Sequence, residues 1–464
     1  MKKLIFLFIL FTAIVKLEAQ QSDTLTAAQM REDINYYFDF LKNNHPNLYL
    51  KYSPAQYDSL QQALLKQCTS SLSRKDFNRQ LLLLNQYTDG HTGITWTEIK
   101  HSSFFYFPYF TLRNDSCFLG NELIQTVNNR NIKEIISEIK KGYSWENHPL
   151  SNEARINKAF PILLSFYYQI DPPYFIQLKN RKTGEIHVNT IPIKKVASNK
   201  DPIFQFKFYP EESIALLFYN ACLIPGNSED FFEKALKKAC FQMKEQKIQY
   251  LFIDVRVNGG GNSRANELIF KHLKSKKYKG TYYCKVNPHT ISIKEAKKTN
   301  QEYLKKNGTN FWKRYKIKKR IKRLERKIPY YCSTGIDSLS EIIPANKKGF
   351  EGKVFVIQSR MTYSAAADFC TSVKQRNIGL LIGEECGSPV RYPGNLQKGT
   401  LPHSKIGFVY PEIYLWYNPE VPSKNGFLQP DIRYDVFGKT LKIEDYKKII
   451  RLSNTLEKHN PELD

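Results

Sequence analysis

Long apolar runs are almost absent from this 464-residue sequence, and the one exception lies at its N-terminus. There, the run from Leu4 to Val15 follows Lys2 and Lys3 and precedes Ala19. A basic start, about a dozen apolar residues and a small residue at the end are typical of a secretory signal peptide, whereas a membrane span needs roughly 20 apolar residues. We therefore predict a signal peptide over residues 1–19, an exported protein that is periplasmic or extracellular, and no stable membrane insertion.

Cysteine pairs with metal-binding spacing are also missing. The eight cysteines are scattered, none of them forms a CxxC pair, and none alternates with histidine at the spacing of metal ligands. This pattern argues against the common zinc sites, so we predict no zinc site. An exported protein permits disulfides, but the spacing leaves their pairing open.

Acidic residues are few, with 44 Asp and Glu against 70 Lys and Arg and a formal charge of +26. Residues 294–327 hold fifteen Lys or Arg and three Glu, a net charge of +12. Ile317, Ile321 and Leu324 recur there at helical spacing, which predicts a basic helical insertion over 290–328 with a solvated face. An electrostatic contact with a substrate or a lipid is the alternative. Because the protein is predicted to be exported, we expect no nucleic-acid partner.

Two segments with different patterns precede the C-terminal half. Residues 20–102 repeat apolar residues at helical spacing and predict a helical N-terminal segment. Residues 103–195 carry short β-like runs and turns, with one helix beginning at Ile132, and predict a mostly β module. The sequence therefore predicts two units before its core.

From residue 200 to 464, strands apolar on both faces alternate with amphipathic helices. Residues 250–254, 353–357 and 380–382 have the pattern of buried strands, and residues 229–245 have that of a helix. This alternation predicts an α/β core with a mostly parallel sheet.

The strand at 250–254 runs into Asp254-Val-Arg-Val-Asn-Gly-Gly-Gly261, which is followed by a helix beginning near Asn262. Glycines leave backbone N–H groups open to an anion, and the start of a helix adds a favourable partial charge. The spacing is neither that of a P-loop nor that of a dinucleotide site. A tight turn that requires positive φ is the alternative.

Two further motifs carry a possible nucleophile and a possible base. Met361-Thr-Tyr-Ser364-Ala-Ala-Ala367 follows a strand and begins a helix, so Ser364 is either a presented nucleophile or an ordinary helix N-cap. Thr88-Asp-Gly-His91-Thr-Gly93 places a histidine beside glycines in a loop, where it is either a base or a surface residue. A serine nucleophile needs a base at neutral pH, and histidine, with a pKa near 6.5, is the usual one.

Taken together, these motifs resemble those of the tail-specific, or C-terminal-processing, serine protease family. Ile382-Gly-Glu384 and Gln429-Pro-Asp431 follow in the family's order, so the resemblance covers the chain from His91 to Asp431. It implies a crotonase- and ClpP-like α/β core, and it implies that residues 103–195 are a degenerate PDZ-like module.

The resemblance implies Ser364 as nucleophile and an oxyanion hole made by the backbone N–H groups of Gly259, Gly260 and Ala365. One branch of the family uses a lysine about 25 residues after the serine as its base. Here that stretch carries Arg391, which cannot deprotonate. The other branch, which includes the tricorn core, uses a histidine from the N-terminal loop, which is His91 here.

That branch orients its histidine with a preceding serine and a glutamate near the C-terminal Pro-Asp. This sequence has Gly90 at the first place, and Glu420 is out of step with the second. Asp89 or Glu420 is therefore the predicted orienting residue.

The resemblance implies an exported serine peptidase that hydrolyses peptide or protein substrates through an acyl-enzyme, and it implies no metal and no cofactor. A catalytically silent relative that binds peptides or small apolar ligands in the same cleft, as in the retinoid-binding proteins that resemble this family, is the second hypothesis. An exported surface-binding protein that uses its basic helix is the third. The oligomeric state is open.

Overall fold

The computed structural model of the protein describes residues 24–96, 105–143, 146, 148–194, 202–225, 228–287, 301–302, 314–315, 317–319, 321–322, 336–418, 421 and 423–459. The predicted signal peptide lies outside these residues, and so does most of the predicted basic insertion. Within the described part of the chain, no helix is both long enough and apolar enough to cross a membrane.

The described helices and strands are as follows. The α-helices are α1 (Ala27–Asn44), α2 (Pro54–Gln67), α3 (Arg74–Leu82), α4 (Ile132–Gly142), α5 (Pro149–Tyr168), α6 (Glu229–Glu245), α7 (Ser263–Phe270), α8 (Ala365–Gln375) and α9 (Ile443–His459). The strands are β1 (Thr24–Leu25), β2 (Leu72–Ser73), β3 (Gly93–Ile94), β4 (Thr111–Arg113), β5 (Ser116–Leu119), β6 (Glu122–Val127), β7 (Arg130–Asn131), β8 (Tyr174–Asn180), β9 (Ile186–Ile191), β10 (Phe204–Tyr209), β11 (Ile214–Tyr219), β12 (Tyr250–Asp254), β13 (Tyr278–Val286), β14 (Ile336–Ile343), β15 (Lys353–Gln358), β16 (Leu380–Gly383), β17 (Tyr392–Thr400), β18 (Gly407–Asn418), β19 (Ser423–Lys424), β20 (Phe427–Leu428) and β21 (Ile432–Arg433).

The helices predicted in the N-terminal segment form as α1, α2 and α3. Local capping sets where α1 and α2 begin, because Thr26 and Ser53 each accept a hydrogen bond from the backbone N–H three residues later within a capping box. Their apolar faces share one core with Phe408 and Tyr410 of β18. The N-terminal helices are therefore packed on a strand from the far end of the chain.

Residues 105–194 form a sheet with strand order β4-β5-β6-β8-β9, with β7 paired to β6 and with α4 and α5 packed against it. The predicted helix after Ile132 is present as α4. The 20-residue helix α5 was not predicted, and the segment is therefore less β-rich than expected. Pro161 lies inside α5, and a proline inside an apolar run argues against a helix when only the sequence is read.

The C-terminal half contains a sheet with strand order β10-β11-β12-β15-β16-β21. Neighbouring strands from β11 to β21 are parallel, and only β10 pairs antiparallel. Separate apolar clusters cover its two faces, which explains why β12 and β15 are apolar throughout. The predicted α/β core with a mostly parallel sheet is confirmed.

A second, antiparallel sheet was not predicted. Its strand order is β14-β13-β18-β17, and β3 pairs with β18 through Ile94 opposite Phe408. This pairing brings the loop that precedes β3, with the N-terminal histidine motif, to the C-terminal core.

Candidate active site

The glycine turn after β12 is held by one asparagine side chain. The Nδ2 of Asn258 donates to the carbonyl oxygen of Tyr219 (2.9 Å), and its Oδ1 accepts from the N–H of Gly260 (2.9 Å). The carbonyl oxygen of Asn258 accepts from the N–H of Tyr363 (3.0 Å). Asn258 therefore joins the glycine turn directly to the segment that carries Ser364.

Ser364 precedes α8 in a backbone conformation that is rare for a residue with a side chain. Its φ is 51° and its ψ is −125°, and its side chain makes no capping hydrogen bond to the helix. Such a conformation costs roughly 1–3 kcal/mol and is typical of functional positions. The hydroxyl is thus turned away from the helix end, and Ser364 is not an ordinary N-cap.

Gly260 allows the turn to lie against this serine. Its φ is +100°, and a β-carbon at this position would lie 2.8 Å from the β-carbon of Ser364. A residue with a side chain would be strained at this φ and would displace the serine. The tight turn that was predicted as an alternative to anion binding is therefore present, and it packs on Ser364.

His91 reaches Ser364 from the N-terminal loop. Its Nε2 lies 3.1 Å from Oγ of Ser364, although the two residues are 273 positions apart in the sequence. The imidazole is buried, with 2% of the residue exposed. It is not a surface-loop histidine, and its distance to the hydroxyl is that of a hydrogen bond.

The other ring nitrogen of His91 contacts a tyrosine that is bonded to a buried glutamate. Nδ1 lies 3.2 Å from the hydroxyl of Tyr363, and this hydroxyl lies 2.8 Å from Oε1 of Glu146. The same Oε1 accepts the backbone N–H of Gly90 at 3.0 Å. The tyrosine ring also stacks on the imidazole, with centroids 4.9 Å apart and an interplanar angle of 19°.

Gly90 leaves room for this arrangement. A β-carbon at residue 90 would overlap the Tyr363 hydroxyl and would lie 2.7 Å from Oε1 of Glu146. The hydroxyl therefore fills the space that a serine before the histidine would need.

Asp89 contacts the main chain of His91. Its Oδ1 accepts from the backbone N–H of His91 (2.7 Å), and its Oδ2 lies 3.0 Å from Nε2 of His45 and 2.9 Å from the Thr92 hydroxyl. Asp89 therefore holds the backbone of His91, and its role as an orienting residue stays a prediction. Glu420, the other predicted orienting residue, lies outside the described residues.

The surroundings of the site change the pKa of His91 and that of Glu146. Burial disfavours the charged imidazolium and lowers the pKa of His91 to about 4, while Asp89 raises this pKa and Arg155 lowers it further. Burial also raises the pKa of Glu146, and the nearby charge of Asp89 acts in the same direction. His91 is therefore neutral across the physiological pH range.

The predicted oxyanion donors differ in availability. The N–H of Gly260 donates to Asn258, so the structure does not leave it free for an oxyanion. The N–H groups of Gly259 and Ala365 have no hydrogen-bond acceptor among the described residues. Gly259 and Ala365 both line the cleft, whereas Gly260 packs behind it.

Ser364 and His91 open into a cleft of about 790 Å³ between the core and the antiparallel sheet. This volume lies within the usual range for ligand sites of roughly 300–1,000 Å³. The lining residues from the sheet are in β17 and β18: Tyr392, Gly394, Asn395, Leu396, Ile413, Leu415 and Tyr417. The cleft is large enough for several residues of an extended peptide.

Two residues of this site were missed by the sequence analysis. Tyr363 directly precedes Ser364 in the motif, so its proximity to the predicted nucleophile could have been noticed. Glu146 has no such signal, because it is 217 positions from Tyr363 and belongs to no recognised motif.

Comparisons with known proteins agree with the motifs. Residues 226–433 match the sequence model described as Peptidase family S41. No curated protein matches the chain in sequence.

Similar folds are found among solved structures. Mature CPAF complexed with lactacystin is 12% identical with a TM-score of 0.60, over 94% of this chain and 99% of that chain. The photosystem II D1 C-terminal processing protease is 13% identical with a TM-score of 0.44, over 88% and 93%. A putative S41 protease from Bacteroides fragilis is 12% identical with a TM-score of 0.41, over 90% and 97%.

At 12% identity, the likeness to CPAF shows a shared fold. The family match covers the glycine turn, the serine motif and the Pro-Asp segment, and it supports a peptidase function without favouring the silent-relative hypothesis. Residues 226–433 match peptidase family S41, and this match supports a serine-type peptidase.

Proposed function

We propose that this protein is an exported peptidase that hydrolyses peptide bonds through an acyl-enzyme on Ser364, with His91 as the general base. The observation that carries the proposal is the 3.1 Å distance between Nε2 of His91 and Oγ of Ser364. A neutral imidazole at this distance can accept the serine proton as the hydroxyl attacks a carbonyl carbon. Export rests on the predicted signal peptide.

The network behind His91 supports the tautomer that a base requires. Oε1 of Glu146 already accepts the N–H of Gly90, so it acts as an acceptor, and the single hydrogen of the Tyr363 hydroxyl points to it. The tyrosine oxygen is then the acceptor for Nδ1–H of His91. With the ring proton on Nδ1, the lone pair of Nε2 faces Ser364. Tyr363 and Glu146 are therefore positioning residues in this mechanism.

The reaction has two parts. In the first, Oγ of Ser364 bonds to the carbonyl carbon, His91 takes its proton, and the same proton passes to the leaving amine as the C–N bond breaks. In the second, His91 takes a proton from water, the hydroxide oxygen attacks the ester, and the proton returns to Oγ as the C–O bond breaks. The N–H groups of Gly259 and Ala365 stabilise the oxyanion formed in each part.

Labelling with a fluorophosphonate probe tests the nucleophile. We expect the purified mature protein to be labelled at Ser364, and we expect Ser364→Ala and His91→Ala to lose labelling. Ser372→Ala changes a serine on the same helix α8 and is the matched control, which should be labelled like the wild type. Lactacystin, which is bound in the similar structure of CPAF, should compete with the probe if it acylates the same serine.

The silent-relative hypothesis predicts a different result. If Ser364 is not labelled and no peptide library is cleaved, the proposed hydrolysis is refuted. Binding of peptides to the unlabelled protein would then favour the second hypothesis.

A further inference from the structure

An acidic side chain lies on the cleft wall one helical turn beyond the nucleophile. Asp368 is on α8, four residues after Ser364, and its N–H donates to the Ser364 carbonyl oxygen at 3.0 Å. Residues four apart lie on the same helix face, and side chains lean toward the N-terminus of a helix. The carboxylate therefore leans toward the nucleophile, and Asp368 lines the cleft.

The opposite wall supplies an apolar path that ends at this acid. Ile413, Leu415 and Tyr417 alternate along β18, so their side chains lie on one face of the strand, and all three line the cleft. The hydroxyl of Tyr417 donates to Oδ1 of Asp368, and the hydroxyl of Tyr392 also hydrogen-bonds to this carboxylate. The cleft is thus apolar along its side and acidic at one end.

The positive charges near Asp368 already have partners. Arg376, which acts on Asp368 electrostatically, forms an ion pair with Glu267 at 2.9 Å. Arg155, the basic residue of the cleft lining, lies over the Tyr363 ring at 4.4 Å, and its Nε donates to Ser151. The tyrosine hydroxyls compensate the carboxylate only in part, because burial raises the pKa of Asp368 despite them.

From this arrangement we infer that the cleft selects a lysine or arginine side chain next to the scissile bond, on its acyl side, with Asp368 as the specificity-determining acid. Such side chains have an apolar stem that fits along Ile413 and Leu415 and a cationic head that fits Asp368. This inference rests on the proposed hydrolysis at Ser364. An acid that only ties α8 to β18 would give no such preference.

Paired peptides measure the charge preference in the wild-type protein. Substrates would differ only at the residue on the acyl side of the cleaved bond, with arginine compared with citrulline and lysine compared with norleucine. A hydrogen bond between charged groups is worth about 1.5–3 kcal/mol. We therefore expect kcat/KM to favour the charged member of each pair by about ten- to a hundredfold.

Substitution of the acid should remove this preference. In Asp368→Asn the ratio of arginine to citrulline kcat/KM should fall toward one. Asp445→Asn is the matched control, because Asp445 also accepts a tyrosine hydroxyl, that of Tyr434 at 2.8 Å, but is not part of the cleft lining. It should keep the wild-type ratio.

Protection from labelling is a measurement that needs no variant. Benzamidine should slow fluorophosphonate labelling of Ser364 in the wild type, and neutral benzamide should not. Equal cleavage of arginine and citrulline peptides, together with no protection by benzamidine, would overturn the role of Asp368 while leaving the peptidase intact. Absence of both labelling and cleavage would instead refute the proposed hydrolysis itself.

Discussion

Tyr363→Phe removes one oxygen atom from the network behind the proposed base. The phenylalanine ring keeps the stack on His91, so the imidazole should stay in the same plane. Two contacts are lost: the 3.2 Å contact to Nδ1 of His91 and the 2.8 Å contact to Glu146. Glu146 keeps the N–H of Gly90 as a donor.

The size of the effect follows from the lost contacts. The Tyr363 hydroxyl links the imidazole of His91 to the buried carboxyl group of Glu146. A hydrogen bond to a charged group is worth about 1.5–3 kcal/mol. Since about 1.4 kcal/mol in the activation free energy is a factor of ten in rate, kcat should fall by about ten- to a hundredfold. KM should change little, because the hydroxyl lies behind the imidazole and is bonded to Glu146.

Steady-state kinetics on one quenched peptide separates this effect from a loss of stability. Tyr434→Phe is the control, because it removes a tyrosine–carboxylate hydrogen bond of the same 2.8 Å length outside the cleft. Tyr363→Phe should lower Tm more than Tyr434→Phe, because Tyr363 and Glu146 are buried, but only Tyr363→Phe should lose kcat at a temperature where both variants are folded. A Tyr363→Phe enzyme with the kcat of the wild type would refute the positioning role of Tyr363 and Glu146.

Three further predictions concern the same residues. Because only neutral His91 can accept the serine proton and burial lowers its pKa to about 4, kcat/KM should rise with pH through a midpoint near 4 and stay level through pH 6.5. A midpoint at 6.5 in the pH profile would show that the imidazole is not buried in the active enzyme. Ser364→Ala and His91→Ala should each lower kcat by orders of magnitude, and the double variant should lose little more, since the effects of substitutions within one catalytic unit are strongly non-additive. Additive losses in the measured kcat would contradict this. Gly90→Ser should lower kcat at least tenfold by displacing the Tyr363 hydroxyl, and adding Tyr363→Phe should recover part of the loss. A Gly90→Ser enzyme with unchanged kcat would show that displacement of the hydroxyl does not affect catalysis.

The parallel core could be predicted because each of its central strands is recognisable from its own apolar sequence, whichever strands it pairs with. Residues 250–254 and 353–357 are buried on both faces, so each is apolar throughout, and helices follow both. The antiparallel sheet has no such pattern. Pro393 and Gly394 in β17 and Pro411 in β18 interrupt the runs that predict strands, although all three lie within the paired register of the two strands.

The candidate site also has parts that local sequence motifs predict and parts that depend on long-range contacts. Ser364, His91 and the glycine turn lie in short motifs, so their proximity was predicted from a family resemblance. The Asn258 side chain that accepts the N–H of Gly260 also bonds to Tyr219, 39 positions away, and Glu146 bonds to Gly90, 56 positions away. Motifs do not record such contacts between distant segments. The sequence therefore could not tell which glycine N–H is free for an oxyanion, nor which acid stands behind the histidine.

The oxygen that contacts Nδ1 of His91 belongs to Tyr363, which is in the same segment as Ser364. In the branch that this sequence resembles, a serine before the histidine supplies such an oxygen, whereas here the Tyr363 hydroxyl overlaps the place of that side chain. The proposed positioning residue Tyr363 and the proposed nucleophile Ser364 are then neighbours in one segment. Side-chain hydrogen bonds from Ser359 to the Arg256 carbonyl oxygen (2.6 Å) and from Thr362 to the Val255 carbonyl oxygen (2.9 Å) fix this segment to the glycine turn.

A displacement of this segment would therefore break the contacts on both nitrogens of His91 together. In an arrangement with the orienting serine beside the histidine, the same displacement would break only the contact to the nucleophile. The Ser359 and Thr362 hydroxyls, whose residues are not part of the cleft lining, would thus support the proposed base and the proposed nucleophile together. In the proposed mechanism, the reactivity of Ser364 and the tautomer of His91 therefore depend on the same few hydrogen bonds between the loops after β12 and β15.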